Sequence, residues 1–129
     1  MSRVVALVGL LLSCALSPFA SAAGPKVTGM LSKLHLGTED VSGVVLYVMY
    51  SHGHYYGSLQ CAQGGPGIPE TVELSVTGSS VSFSVPANSA SGCAPGATFS
   101  GEVSATGIKG SFADTDWPGF LKRGKGYWQ

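Results

Sequence analysis

Charge is the first thing this sequence is short of. Only 11% of its 129 residues are charged, and seven basic residues balance seven acidic ones. A nucleic-acid surface needs a strong basic excess on one face, so no nucleic-acid partner is expected. Cysteine is scarce as well, at three, and no Cys-x-x-Cys spacing occurs, which removes the usual redox and zinc patterns. The longest apolar run is too short to cross a ~30 Å hydrocarbon core as a helix, so no transmembrane segment is expected. There is no Gly-x-Ser-x-Gly elbow and no His-Glu-x-x-His. With three histidines in the chain, a Ser-His-Asp triad has few available members. These absences lead to the expectation of a non-enzymatic protein without a cofactor.

What is present begins with a leader. Arg3 precedes the apolar run Val4–Leu12, Pro18 breaks the next segment, and Ala20-Ser21-Ala22 supplies small residues where a signal peptidase reads them. Residues 1–22 are therefore expected to be a signal peptide, and residues 23–129 a single exported domain, periplasmic or extracellular. A minor alternative is lipidation at Cys14, although Leu12 and Ser13 fit a lipoprotein site poorly. Arg3 stands alone, which excludes a twin-arginine signal.

Beyond the leader, short side chains, β-branched residues and glycines dominate, a composition suited to strands and tight turns. It is too apolar for a disordered chain. Cys61 and Cys93 remain as an even pair and are expected to form a disulfide in an oxidising compartment. Closing a loop of that length is worth roughly 3–4 kcal/mol in the chain-entropy picture.

From Val44 onward, strand and turn signals alternate every eight to twelve residues. Val44–Tyr50 and Tyr55–Cys61 predict a hairpin with His52-Gly53 at its tip. Thr71–Val76 and Val81–Val85 alternate apolar and polar residues with period two, the mark of half-buried strands. Thr98–Ser104 and Ile108–Phe112 come next. Phe120–Arg123 and Tyr127-Trp128 predict a terminal hairpin around residues 124–126. Leu34–Leu36 suggests a further strand and Gly37–Gly43 a connecting loop. The expected fold is all-β: a small antiparallel sandwich or a meander barrel of about seven or eight strands.

Val44–Tyr50 is apolar on both faces, with Val44, Leu46, Val48 and Tyr50 on one and Val45, Tyr47 and Met49 on the other. Such a strand is normally covered on both sides. The strand is expected either to be central or to have its second face under residues 33–36 or under a partner.

Few motifs carry chemistry. His52 and His54 flank a glycine at a spacing that puts both on one face of a strand, and they are the candidate metal ligands. A zinc or copper site asks for three or four ligands, and only His35 or a carboxylate could complete it. Gly119–Lys125 imitates a phosphate loop, but Gly126 stands where Ser or Thr is required and no helix can follow. Asp114-Thr115-Asp116 reads as a turn in which Asp caps its own backbone. The aromatics Tyr47, Tyr55, Tyr56, Trp117, Tyr127 and Trp128 are the candidate binding residues, since Tyr and Trp combine an apolar body with a polar tip. They suit an unidentified protein, peptide or glycan ligand. The functional expectation is an exported binding or envelope-associated protein: an inhibitor, adhesion component or ligand-binding module. The alternative is a small secreted hydrolase or metal-dependent enzyme using His52 and His54. A carrier of an apolar ligand inside the fold would require an enclosed cavity.

Overall fold

The computed structural model describes residues 26–124. Eight antiparallel strands run in order as a closed meander barrel: β1 (Gly29–Leu36), β2 (Val41–Ser51), β3 (His54–Gln63), β4 (Glu70–Thr77), β5 (Ser80–Ser84), β6 (Thr98–Val103), β7 (Gly107–Phe112) and β8 (Pro118–Arg123). β8 closes on β1 through the pairs Leu31 with Arg123 and Ser32 with Lys122. Closure removes the free edges that a sandwich of the same strands would leave, and it decides between the two expected architectures.

Period-two alternation sets what faces inward. Leu31, Val44, Leu46, Val48, Leu59, Val72, Leu74, Val81, Phe99, Ile108 and Leu121 fill the interior. Phe83, Phe99 and Phe112 meet as one aromatic cluster, with Phe83 and Phe99 stacked at 5.0 Å. Glycine makes room for these side chains. A Cβ on Gly57 would come within 2.7 Å of Leu46 Cδ1, and one on Gly110 within 2.7 Å of Phe99 Cζ. Serine, threonine, glutamate and lysine alternate with the core residues and point outward on β4–β7. This is the inverse of a bilayer-spanning barrel, whose outer surface is apolar. No helix among the described residues is long and apolar enough to cross a membrane.

The two ends differ. One carries the chain entry and exit together with the short turns β2–β3, β4–β5 and β6–β7. There the Arg123 guanidinium donates to the carbonyls of Lys26, Thr28 and Ser104, tying β8 to the segment before β1. The other end carries the longer β3–β4 and β5–β6 loops. The disulfide Cys61–Cys93 joins β3 to the β5–β6 loop across 32 residues. Ser91 and Cys93 are buried there, so the loop plugs the barrel end.

Several boundaries differ from those the residue pattern predicts. β2 begins at Val41, inside the expected loop, because Gly43 (φ +126°) lets β1 come close; a Cβ there would lie 1.9 Å from the Lys33 carbonyl oxygen. β1 extends back to Gly29. Phe120–Arg123 is the closing strand, paired to β7 and β1, and not the first arm of a terminal hairpin. The second arm of that hairpin, with Tyr127 and Trp128, lies outside the described residues. At the β7–β8 turn it is Thr115 that binds the backbone: its hydroxyl donates to Phe112 O at 3.0 Å and accepts from Trp117 N–H at 3.3 Å. Asp114 contributes the left-handed corner (φ 64°).

Candidate functional site

The barrel wall has two unlike sides. Across β4–β7 the outward residues Ser75, Ser82, Ser100 and Ser111 stand opposite one another from strand to strand, forming a row of hydroxyls. Across β1–β3 the outward face is mixed: Val45, Tyr47 and Met49 on β2 stand among Met30 and Tyr56 but also beside Ser32, Ser58 and Gln60. Met30 pairs with Tyr47, and Met49 pairs with Tyr56. Tyr47 and Met49 are 43% and 45% exposed, whereas Val45, two positions along the same face, is only 4% exposed. Val45 is buried between the polar side chains of Ser32 and Gln60, and the exposed apolar surface of this face is that of Tyr47 and Met49.

Residues 33–36, expected as a cover for the second face of β2, lie beside it as part of β1 in the same sheet. The inward face of β2 is the one holding Val44, Leu46 and Val48. The strand is therefore apolar on both sides for two reasons: one side is core, and the other is an outer surface on which Tyr47 and Met49 stay exposed.

The candidate aromatics do not gather into one patch. Tyr47 and Tyr56 share the outer face of β2 and β3. Tyr55 has inward parity at the short-turn end, where its ring lies 4.7 Å from that of Tyr50. Trp117 is at the opposite end, 40% exposed and stacked on Phe112 at 5.7 Å. It borders a groove of about 430 Å³ with Lys33, His35 and Gln63, where the Lys33 ammonium donates to Pro118 O at 2.6 Å. Met30 and Met49 complete the outer face, although neither is a candidate on residue type alone. The double-sided apolar pattern of β2 is the available signal for Met49; the ambiguous stretch before Leu34 hides Met30.

His52 occupies the β2–β3 turn at φ 50°, next to Gly53 at φ 84°, as a two-residue hairpin turn with both central φ positive requires. Its Nδ1 is 2.8 Å from the Ser51 hydroxyl. His54 instead meets Glu73 across the β3–β4 pair, Nδ1 to Oε1, at 3.0 Å. Among the described residues, no group of three or more His, Cys, Asp or Glu is placed to hold a metal ion. The His54–Glu73 pair borders a groove of about 650 Å³ that also takes in Ser75, Ser82, Ser84 and Thr98.

Further along the hydroxyl side, Glu102 accepts from Ser79 Oγ at 2.5 Å and from Ser80 Oγ at 2.9 Å. These two bonds, Ser79 first, favour the ionised carboxylate and hold its pKa below the ordinary value.

No protein-family model matches the chain, and no curated protein or solved structure matches it either.

Proposed function

We propose that this chain is an exported, non-enzymatic binding protein that docks a partner protein on the outer face of β1–β3, around Tyr47 and Met49. The observation that carries this reading is the exposure of those two large side chains beside buried Val45, on the outside of a strand whose other face is core. Tyr and Met are enriched at protein interfaces because they bury much apolar area, Met adapting its shape and Tyr keeping a polar tip. The barrel interior is filled by Leu, Val and Phe, which supports recognition at the surface and not within an internal cavity. Export is supported by the leader-like segment before the barrel and by a disulfide that suits an oxidising compartment.

The test places a photo-crosslinking phenylalanine analogue at Tyr47, at Met49 and, as a control on the hydroxyl side, at Ser82, in the organism that makes the protein. Discrete protein adducts from positions 47 and 49 but not 82 support the reading. Equal labelling from all three, or none from 47 and 49, overturns it.

A second reading rests on the His54–Glu73 pair in its serine-lined groove. A carboxylate that fixes one imidazole nitrogen is what a general base requires, and on this reading the protein is a small secreted hydrolase. Turnover of short-chain chromogenic esters that His54→Ala abolishes would establish it; turnover unchanged by that substitution would dismiss it.

A further inference from the structure

Among the described residues the barrel wall is incompletely paired at two seams: β8 meets β1 through only two pairs, and β4 meets β5 through three. β4 and β5 join only through Ser75 with Ser82, Val76 with Val81 and Thr77 with Ser80, next to their turn. Yet β4 runs back to Glu70 and β5 forward to Ser84, and each is laddered along its other flank: Glu70–Leu74 to β3, Ser80–Ser84 to β6. Beyond Ser75 and Ser82 the two strands carry no mutual pairing. The 650 Å³ groove lies over this wedge, with Leu74 and Phe83 among its lining beside Glu73 and Ser84. At its wide end, the Ala90 N–H donates to the Glu70 carboxylate at 3.3 Å, so the β5–β6 loop bounds it.

Backbone direction is set by bonds on either side. Val103 N–H donates to Ser79 O and Val85 N–H to Ala97 O, so odd-numbered residues of β5 turn toward β6 and even-numbered ones toward β4. Cys61 N–H donates to Ser91 O, away from β2, which turns odd residues of β3 toward β4 and leaves odd residues of β4 facing β5. By this alternation Thr71, Glu73 and Ser84 direct their N–H and C=O groups into the wedge, past the last ladder pair.

We propose that the wedge accepts a short extended peptide, added as a strand against β4. Unpaired main-chain groups on a strand edge supply the affinity in such additions, and alternate side chains supply the specificity. Here Glu73 selects a basic side chain on the outward face of the added strand, while Leu74 and Phe83, each only 5% exposed, belong to the packed interior and line only the floor of the groove. The peptide has no contact with Tyr47 or Met49, so this site stands or falls independently of the outer face of β1–β3.

The probe is the acetylated, amidated pentapeptide Thr-Val-Lys-Val-Thr, titrated into the ¹⁵N-labelled exported protein while amide shifts and hydrogen exchange are followed. In the free protein, the amides of Thr71, Glu73 and Ser84 should exchange faster than those of Val72, Leu74 and Phe83, which sit in ladders. The peptide should slow those three at least tenfold, and the same peptide with Pro replacing Lys should not. Glu73→Pro removes an N–H that no ladder uses, so it should keep the folded spectrum and weaken the peptide at least tenfold. Glu73→Lys should weaken it through charge alone. Protection of all three amides in the free protein, unchanged shifts up to ~5 mM peptide, or unfolding by Glu73→Pro would each overturn the proposal.

Discussion

The N–H of Cys61 donates to the carbonyl of Ser91 at 2.7 Å, so the β5–β6 loop stands beside β3 at the level where β4 has not yet begun. Gly67 N–H and Ile68 N–H extend the same junction, to Cys61 O and Ala90 O. Backbone bonds thus seat the loop, and two residues on from Ser91 the disulfide locks it. The loop can approach so closely because Gly92 (φ +81°) has no Cβ; one there would lie 2.5 Å from the Cys61 carbonyl oxygen.

Removing that lock should destabilise the barrel strongly, and mainly through the unfolded chain. Opening the Cys61–Cys93 loop of 32 residues' separation returns about 3–4 kcal/mol of chain entropy to the unfolded state. Cys93→Ser should therefore lower the urea midpoint strongly, and dithiothreitol should lower that of the wild type but leave the variant unmoved. A midpoint unaffected by reductant would show that the bridge does not hold the fold.

Gly110→Ala should be among the most damaging small substitutions in the barrel. The added Cβ would meet Ser100 O at 2.4 Å and the Gly101 Cα at 2.7 Å, both backbone atoms of the neighbouring strand, as well as the Phe99 ring. Overpacking of this kind costs about 1–3 kcal/mol, and here the main chain itself must move. Gly65→Ala, which meets nothing within 4 Å, is the control. Thermal denaturation of the two variants side by side checks the difference; equal melting temperatures would count against the packing described.

Glu102 should titrate below an ordinary glutamate. Its carboxylate accepts from Ser79 and Ser80, which lowers the folded pKa relative to the unfolded chain. Linkage gives the sign: the stabilisation is present above the unfolded-chain value and is lost as pH falls through the lowered folded value. Because the carboxylate faces solvent, the readout is its own ¹³C shift and not global stability. Ser79→Ala should raise the midpoint toward the ordinary value, and Ser80→Ala should raise it less. A wild-type midpoint at the ordinary value would dismiss both bonds.

Intact-mass measurement of the exported protein checks its processing. A chain beginning at Ala23, alkylated only after reduction, is the expected outcome. A lipid-modified mass beginning at Cys14 would make the protein an anchored lipoprotein, and free thiols before reduction would contradict the bridge.

Much of this molecule is legible residue by residue. Alternation in Thr71–Val76 and Val81–Val85 determines two strands and their inward faces, because side chains on a pleated strand have period two and only one face of each is apolar. His52-Gly53 determines a hairpin, since both central positions of its turn need positive φ. Cys61 and Cys93 are the only two cysteines beyond the leader-like segment, and an even pair leaves one pairing open to them, the bridge that the fold contains. Other features depend on what the strands meet. The pairing of β8 with β1, and with it barrel over sandwich, depends on Phe120–Arg123 finding a partner some ninety residues earlier, and local patterns do not encode that distance. Why Val44–Tyr50 is apolar on both sides is likewise decided by the sheet: β1 lies beside β2 and not over it, so Tyr47 and Met49 stay in solvent. The same closure sends Tyr55 to one end of the barrel and Trp117 to the other, although both belong to the same residue class. Residue chemistry sets what each strand can bury; the register and closure of the whole sheet decide which side chains remain outside to be recognised.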